Sequence, residues 1–419
     1  MTIRWITPLL GTAPAEVARQ VPNVFLIDVR ELVDKAGNDT GAVKEKITDG
    51  ARQLALGERI IVCCDYGISR SNAVAAGIIA VNQNISLDSA IRIVQAATGE
   101  FEIKLEPLNA VRKAIGESPN AKRSKGTRTV LVTGSGGFIG AATCNHLRGL
   151  YEVVAPVREQ LDLLRGSTLL GVLARESQVD YIVHLANPRV YTSNAAMGAT
   201  LTMLRNVLDV CVNDNIPLIY LSSWEVYSGY SGSIQANELT PLDPRGPFGE
   251  TKYLAEQLIE HVRRTTPLRC GILRCSPVYG DGGSRPKFLR RFAELAAAAK
   301  PIVTHRYCTG EPALDLLHID DCVAALTSAI VQNFCGTANI GTGVLTSTRS
   351  IAQLLFDTFG TTAKLSYLPI DGSFASIEME CRHASEVLRW KPIVDFPTGL
   401  RRFLNEMYFK AEEKNEQRH

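Results

Sequence analysis

Two short segments of this 419-residue chain combine residue types that could do chemistry. In the first, Arg59–Val62 reads as a buried strand. It runs into Cys63-Cys64-Asp65-Tyr66-Gly67-Ile68-Ser69-Arg70-Ser71 and then a helical stretch, Asn72–Val81. A cysteine between a strand and a helix N-terminus meets converging backbone N–H groups and the positive end of the helix dipole, and both favour thiolate over thiol. The same cradle suits a phosphate dianion. Arg70 can grip two phosphate oxygens at once, and Ser71 can hydrogen-bond the sulfur. The competing reading treats Cys63 and Cys64 as small buried hydrophobes at a strand end.

In the second, the strand-like Thr129–Val132 leads into Thr133-Gly134-Ser135-Gly136-Gly137-Phe138-Ile139-Gly140 and a helix, Ala141–Leu150. Glycines in that setting bind a dinucleotide: Gly134 makes the tight turn, Gly137 lets the backbone approach a pyrophosphate, and Gly140 permits close helix packing. The next strand ends Val157-Arg158-Glu159-Gln160-Leu161-Asp162-Leu163. An acidic residue there suits the NAD ribose and an arginine the NADP phosphate. Arg158 leans the choice towards NADP, Glu159 keeps NAD open, and Asp162 is a candidate for the adenine amino group.

Cys64, Gly67, Arg70 and Ser71 in this spacing resemble the protein tyrosine and dual-specificity phosphatase family. Asp34-Lys35-Ala36-Gly37-Asn38 is similar to the general-acid segment of its compact bacterial members. The resemblance implies two steps. Thiolate Cys64 attacks phosphorus while Asp34 protonates the leaving oxygen, and Asp34 then activates the water that hydrolyses the cysteinyl phosphate. Cys63 stands where most members have a histidine that tunes the thiolate. Asp28 is a weaker candidate acid, expected to end a strand and pair locally.

The Gly-x-x-Gly-x-x-Gly spacing resembles the extended short-chain dehydrogenase/reductases, which include sugar-nucleotide epimerases, dehydratases and reductases. Further stations follow in family order: His184-Leu185-Ala186, Leu221–Tyr227, Leu273–Gly280, Asp315–Asp321, Asn339–Gly343 and Leu388–Pro392. This resemblance implies cofactor contacts from Gly134, Gly136, Gly137, Phe138, Ile139, Gly140, Arg158, Asp162, Leu163, Ala186 and Lys252, and catalytic roles for Ser223 and Lys252. One station is broken: the family pairs a tyrosine with a lysine four residues on, and here Phe248 precedes Lys252. Phenylalanine has no hydroxyl with which to move a proton. Tyr227, Tyr230 and Glu225 are the candidate substitutes. Trp224 occupies the position of the 4,6-dehydratases' aspartate, which argues against dehydration, while Glu225 matches their adjacent glutamate. For Tyr227 and His318 the expectation is core packing. Lys287, Arg290 and Arg291 follow the region where relatives hold a substrate diphosphate, or form a solvated helix face.

The elements that must hold these residues divide the chain. Gly116–Arg128 is polar and basic, with Ala121 its one aliphatic residue, and reads as a linker. The expected domains are residues 1–117, phosphatase-like, and 129–410, the dinucleotide-binding domain, joined by 118–128. Short apolar runs at Thr129–Val132, Glu152–Val157, Tyr181–Leu185 and Leu218–Leu221 alternate with helical spacing. That argues for an α/β fold, a Rossmann doubly wound parallel sheet with a smaller C-terminal substrate region, beside a small α/β phosphatase-like domain. Helices are expected at Thr40–Leu56 and Leu108–Ile115, and the polar tail Lys410–His419 is expected to fray.

Composition narrows the classes. A net charge of +2 gives no reason to expect nucleic acid or an anionic membrane surface. No apolar run is expected to span a bilayer, and the N-terminus lacks a signal-peptide pattern. Ten scattered cysteines suit free thiols in a reducing cytoplasm. No metal site is expected. The expected protein is bifunctional: a cysteine-dependent phosphatase acting on a phosphate monoester, and an NAD(P)-dependent epimerase or reductase acting on a nucleotide sugar, as a homodimer by resemblance. The alternative is a phosphatase carrying a catalytically impaired nucleotide-binding scaffold.

Overall fold

The computed structural model describes residues 2–35, 37–117, 126–188, 193–280, 282 and 286–416, the last eight of these by backbone alone. They form two compact units. The first comprises Met1–Gly126, Arg158–Val179 and Arg205–Asn215; the second comprises Thr127–Val157, Asp180–Leu204 and Ile216–His419. Residues 118–125 of the expected linker lie outside the described residues.

In the first unit, a sheet has the strand order Arg4–Trp5, Leu10–Pro14, Ile60–Cys64, Phe25–Asp28. Its first pair is an antiparallel hairpin and the others are parallel. Ile60–Cys64 lies between two neighbours, which is why every residue of it is buried and why its sequence is continuously apolar. The helix Arg70–Gln83 starts earlier than Asn72 because the loop delivers the chain directly into its first turn. Thr40–Ala55 matches the expected helix and is capped by Asp39, which accepts from the Gly41 N–H at 2.8 Å. Helix Leu105–Ala114 begins three residues before Leu108, since a proline (Pro107) is tolerated in a first turn. Two buried arginines of this unit share buried carboxylates: Asp88 pairs with Arg112 at 2.6 Å and Arg175 at 3.2 Å, and Arg175 also reaches Asp214 at 3.0 Å.

In the second unit, six described strands form one parallel sheet in the order Gly336–Ile340, Cys270–Cys275, Leu218–Ser223, Tyr181–His184, Thr129–Thr133, Glu152–Val154. Chain order reverses at Thr129–Thr133, so a crevice opens at the carboxyl ends of Thr129–Thr133 and Tyr181–His184. In open α/β sheets such a switch point is where ligands bind. The Glu152 strand stops at Val154 rather than Val157, because Pro156 has no N–H to continue a ladder. The core behind the sheet includes Val130, Val132, Val183, Ile219 and Leu273, all fully buried. Smaller two-stranded ladders, such as Gly232–Ala236 with Ala375–Met379, carry the remaining segments.

Two expectations need correction. The C-terminal helix Phe396–Glu416 runs through Lys410 instead of fraying there; residues 417–419 lie outside the described set. Helix Asn194–Asp214 has the length and mean hydropathy of a bilayer span, contrary to the reading that no run does. Its apolar side chains Leu204, Val207, Leu208 and Cys211 are buried in the protein, and mid-helix Asn206 donates to the Leu163 carbonyl at 2.7 Å. It is a core helix.

Arg274 and Glu256 form a bidentate pair in the second unit, both almost fully buried, with the shortest N···O distance 2.8 Å. Removing one partner of such a pair strands a buried charge and costs roughly 3–5 kcal/mol. Arg274→Leu is therefore expected to lower the stability of this unit by about that amount, read as a fall in its urea unfolding midpoint.

Candidate active sites

The loop after Ile60–Cys64 wraps round one sulfur. The Gly67 N–H donates to Cys64 Sγ at 3.2 Å, and the Ser71 hydroxyl lies 3.5 Å from it. Burial pushes the Cys64 thiol up, but the Ser71 hydroxyl and the N–H groups of Ser71, Ile68 and Gly67 outweigh it, and the net shift is downward. Cys63 has no such donors: burial and Asp28 push it up to about 11. Adjacent side chains of a strand point to opposite faces, so two neighbouring thiols have opposite character. Gly67 has φ +68°, and a Cβ there would stand 2.6 Å from the Pro14 nitrogen; the loop is pressed against the neighbouring strand.

Arg70 lies beside the sulfur with its guanidinium already engaged. It donates to the carbonyls of Arg30 and Leu32, at 3.1 and 2.9 Å, and to Asp65 at 2.5 Å. Asp34 is exposed and accepts from the Ser69 hydroxyl at 3.5 Å, while the Ser69 hydroxyl accepts from the Lys104 N–H. The turn carrying Asp34 is held by Asn38, whose side chain bonds both the N–H and the carbonyl of Val33; Gly37 takes φ +111°. Ala36, inside this motif, lies outside the described residues. Cys64, the helix residues Arg70 and Ser71, and Asp34 from its own turn thus gather round the Cys64–Ser69 loop. Asp28 does not join them. Its carboxylate is gripped by Arg30 at 2.7–3.0 Å, which holds it ionised below the ordinary range.

At the switch point of the second unit, the glycine loop answers to three different constraints. Gly134 has φ +73°, and a Cβ would lie 2.7 Å from the Ala186 nitrogen on the adjacent strand's extension. A Cβ on Gly140 would overlap the Gly134 carbonyl oxygen. At Gly136 a Cβ would meet nothing within 4 Å, and at Gly137 only the Gly134 carbonyl at 3.2 Å. Helix Phe138–Leu147 follows with Gly137 as N-cap and no side-chain cap. Its first N–H groups take no side-chain cap from the described residues, the arrangement that receives a pyrophosphate. The residues present fit a dinucleotide on this observation. Arg158, Asp162 and Leu163 belong to the first unit. There Arg158 is exposed and 4.0 Å from Asp162, Asp162 caps the turn Leu163–Arg165, and Leu163 is buried.

Lys252 is buried on the helix Gly246–Thr265. Its Nζ donates to the Leu221 carbonyl at 2.7 Å and the Tyr220 hydroxyl at 3.1 Å, and lies 5.7 Å from the Phe248 ring centre. Burial pushes it down to about 8, against the pull of Glu256, Cys275 and Glu225. Ser223 caps the turn Trp224–Tyr227 by accepting from the Glu225 N–H at 3.2 Å. Trp224, with Arg245, Tyr307 and Phe374, lines a cavity of about 310 Å³.

The remaining candidates are accounted for by packing. Tyr227 is fully buried; its hydroxyl accepts from Arg274 at 2.7 Å and reaches the Asn237 carbonyl and Asn339. Tyr230 donates to the Pro241 carbonyl. His318 is interior, its Nδ1 accepting from the Asp320 N–H. Lys287, Arg290 and Arg291 are exposed on one helix, the two arginines paired with Glu294. Among the described residues no group of three or more His, Cys, Asp or Glu could hold a metal. Tyr220, Glu256 and Asp65 went unnoticed in the sequence. Tyr220 sits inside an apolar run, whereas Glu256, four residues after Lys252, could have been found on the same helix face.

A profile of the NAD dependent epimerase/dehydratase family matches residues 130–341, half of the chain, and the protein belongs to that family. Among curated relatives, a dTDP-glucose 4,6-dehydratase of Streptomyces antibioticus is 27% identical over 315 residues, spanning 66% of this chain and 91% of that one. A UDP-glucuronate 4-epimerase of Thermodesulfobacterium geofontis is 26% identical over 258 residues, 59% of this chain and 77% of that one. Two crystal structures share the fold. The UDP-glucose 4-epimerase of Thermus thermophilus in complex with NAD has a TM-score of 0.58 at 22% identity, covering 66% of this chain and 98% of that one. The dTDP-glucose 4,6-dehydratase of Bacillus anthracis in complex with NAD has a TM-score of 0.60 at 20% identity, covering 68% and 98%.

The contrast between the two cysteines can be measured. Iodoacetamide at pH 7 is expected to modify Cys64 well ahead of Cys63, because only the thiolate reacts. Ser71→Ala removes a donor to the sulfur and is expected to move the alkylation midpoint of Cys64 to higher pH, read by mass spectrometry of the labelled peptide.

Proposed function

We propose that the chain carries two active sites. Residues 1–117 would form a cysteine-dependent phosphomonoesterase, and residues 129–410 an NAD(P)-dependent epimerase or reductase of nucleotide sugars, with 118–128 as the linker. The observation that carries the first is the convergence of the Ser71 hydroxyl and three backbone N–H groups on Cys64. Cys64 attacks the phosphorus of a phosphate monoester, Asp34 protonates the departing oxygen, and Arg70 holds the phosphoryl oxygens. To do so, Arg70 exchanges its bond to Asp65 for the substrate. Asp34 then takes a proton from the water that cleaves the cysteinyl phosphate, and Ser71 eases release of the sulfur.

The open backbone at Gly136 and Gly137 carries the second. The loop Gly134–Gly140 would hold the pyrophosphate, and Ala186 and Lys252 would border the rest of the cofactor. When bound, the dinucleotide supplies reversible hydride exchange at a sugar carbon. Lys252, buried and charged below about pH 8, orients hydroxyl groups there. Family membership and the sugar-nucleotide enzymes among the relatives support this substrate class. The fold neighbours solved with NAD favour NAD. A second reading, a phosphatase with a non-catalytic nucleotide-binding scaffold, is favoured by Phe248 alone. The proposal includes a homodimer in the cytoplasm.

Two assays test the reading. Hydrolysis of an aryl phosphate is expected to fall by at least about 10³-fold in Cys64→Ser and about 10²-fold in Asp34→Asn; hydrolysis that survives Cys64→Ser would refute the first site. Interconversion of nucleotide sugars with NAD(P) is expected to be lost in Lys252→Ala, and a wild-type protein that binds dinucleotide but turns over no nucleotide sugar leaves the scaffold reading.

A further inference from the structure

A sugar hydroxyl that becomes a carbonyl must lose a proton as well as a hydride, and Phe248 cannot take it. Of the groups packed round Lys252, the Cys275 thiol is hydrogen-bonded to Cys322 Sγ at 3.8 Å and pushed well up by that bond and by burial. Tyr220 touches Nζ, but its phenol is fully buried, which pushes its ionisation far above neutral pH. His184 is pinned by Thr133 at 2.7 Å and driven down to about 3 by burial and by Lys252, so it stays neutral. Glu256 has both carboxylate oxygens on Arg274 and one on Ser222. The Ser223 hydroxyl is occupied as a cap, and Tyr227 by Arg274, Asn237 and Asn339.

Glu225 differs from all of these. It is half-buried, and its carboxylate makes no hydrogen bond to any described residue. It follows Ser223 and Trp224 at the carboxyl end of the strand Leu218–Ser223. The helix turn bearing Phe248 is pressed against its main chain, since a Cβ on Gly249 would lie 2.6 Å from the Glu225 carbonyl oxygen. It also feels the Lys252 charge: burial raises it to about 7 and Lys252 restrains the rise.

Resting on the nucleotide-sugar reading above, we propose that Glu225 is the proton carrier of the second site, in place of a phenol at position 248. In the oxidising direction, the alcohol carbon loses hydrogen with the C–H electron pair to the nicotinamide of the bound cofactor. The hydroxyl proton passes to a Glu225 carboxylate oxygen, and the O–H electron pair becomes the second carbon–oxygen bond. Glu225, now a carboxylic acid, returns the proton when hydride comes back to the carbonyl carbon. Lys252 holds the oxygen and stabilises its developing charge.

The test uses the full chain, NAD(P) and a panel of nucleotide sugars. Glu225→Gln is expected to lower kcat at least about 10²-fold, the usual contribution of a proton carrier, with dinucleotide affinity unchanged within about threefold. Oxidation by the wild type should rise with pH through about 7, where Glu225 ionises, and that limb should vanish in the variant. Difference infrared spectra of the ligand-free protein should show one carboxyl group titrating near neutral pH in wild type and missing in Glu225→Gln. Adding Phe248→Tyr to Glu225→Gln should restore at least about tenfold of the lost rate. Turnover that Glu225→Gln retains within about threefold, or a missing carboxyl titration, overturns the assignment and leaves the nucleotide-sugar reading intact. A wild type that binds dinucleotide without turning over any nucleotide sugar overturns both. If the glutamine variant loses dinucleotide binding, Glu225→Asp is judged by the same rate and titration.

Discussion

The first N–H groups of a helix have no partner inside it, and both candidate sites of this chain are built on that deficit. In each, a parallel strand delivers the chain through a glycine-containing loop into a helix whose N-terminus has no side-chain cap. At Cys64 the unpaired donors are satisfied by the protein's own sulfur, and the result is a thiol biased towards its anion. At Gly134–Gly140 no side chain of the described residues caps the donors, the geometry proposed above as a receptor for an external anion. The same backbone geometry thus yields a nucleophile in one unit and a cradle in the other. The difference lies in which residue stands at the strand end.

Charge in the second site is organised by burial. Lys252 sits where water is excluded, held by a carbonyl and a phenol rather than by a carboxylate. Burial lowers its affinity for a proton. The nearby Glu256 would otherwise compensate it, but it is committed to Arg274. The site therefore holds a cation hydrogen-bonded to neutral groups and, at Glu225, a carboxyl group that makes no hydrogen bond to a described residue.

Much of this was legible in the sequence because it depends on local chemistry. Continuous apolar runs marked the parallel strands, and glycine at strand-to-helix junctions marked both loops. The Asp34–Asn38 turn showed itself through Gly37 and Asn38, which the structure uses for a positive φ and for closing hydrogen bonds. What escaped depends on contacts between residues distant in sequence. Tyr220 looked like one more apolar strand residue, and only folding brings its hydroxyl to Lys252. Asp65 is an exception to that rule: it stands five residues from Arg70, and the turn of the loop brings its carboxylate onto the guanidinium. The compact units also cut across the chain's own order, since Arg158–Val179 and Arg205–Asn215 cluster with the N-terminal segment. No linker signature announces that.

The glycines of the cofactor loop have different owners. Gly134 and Gly140 belong to the fold: a methyl group at either meets backbone atoms that cannot yield. Gly136 belongs to the visitor, since a Cβ there would meet no atom of the described residues within 4 Å beyond its chain neighbours. A substitution at Gly136 is therefore invisible to folding and legible only to a ligand. This one position separates the cost of being built from the cost of being used, and it does so without touching any group that performs chemistry.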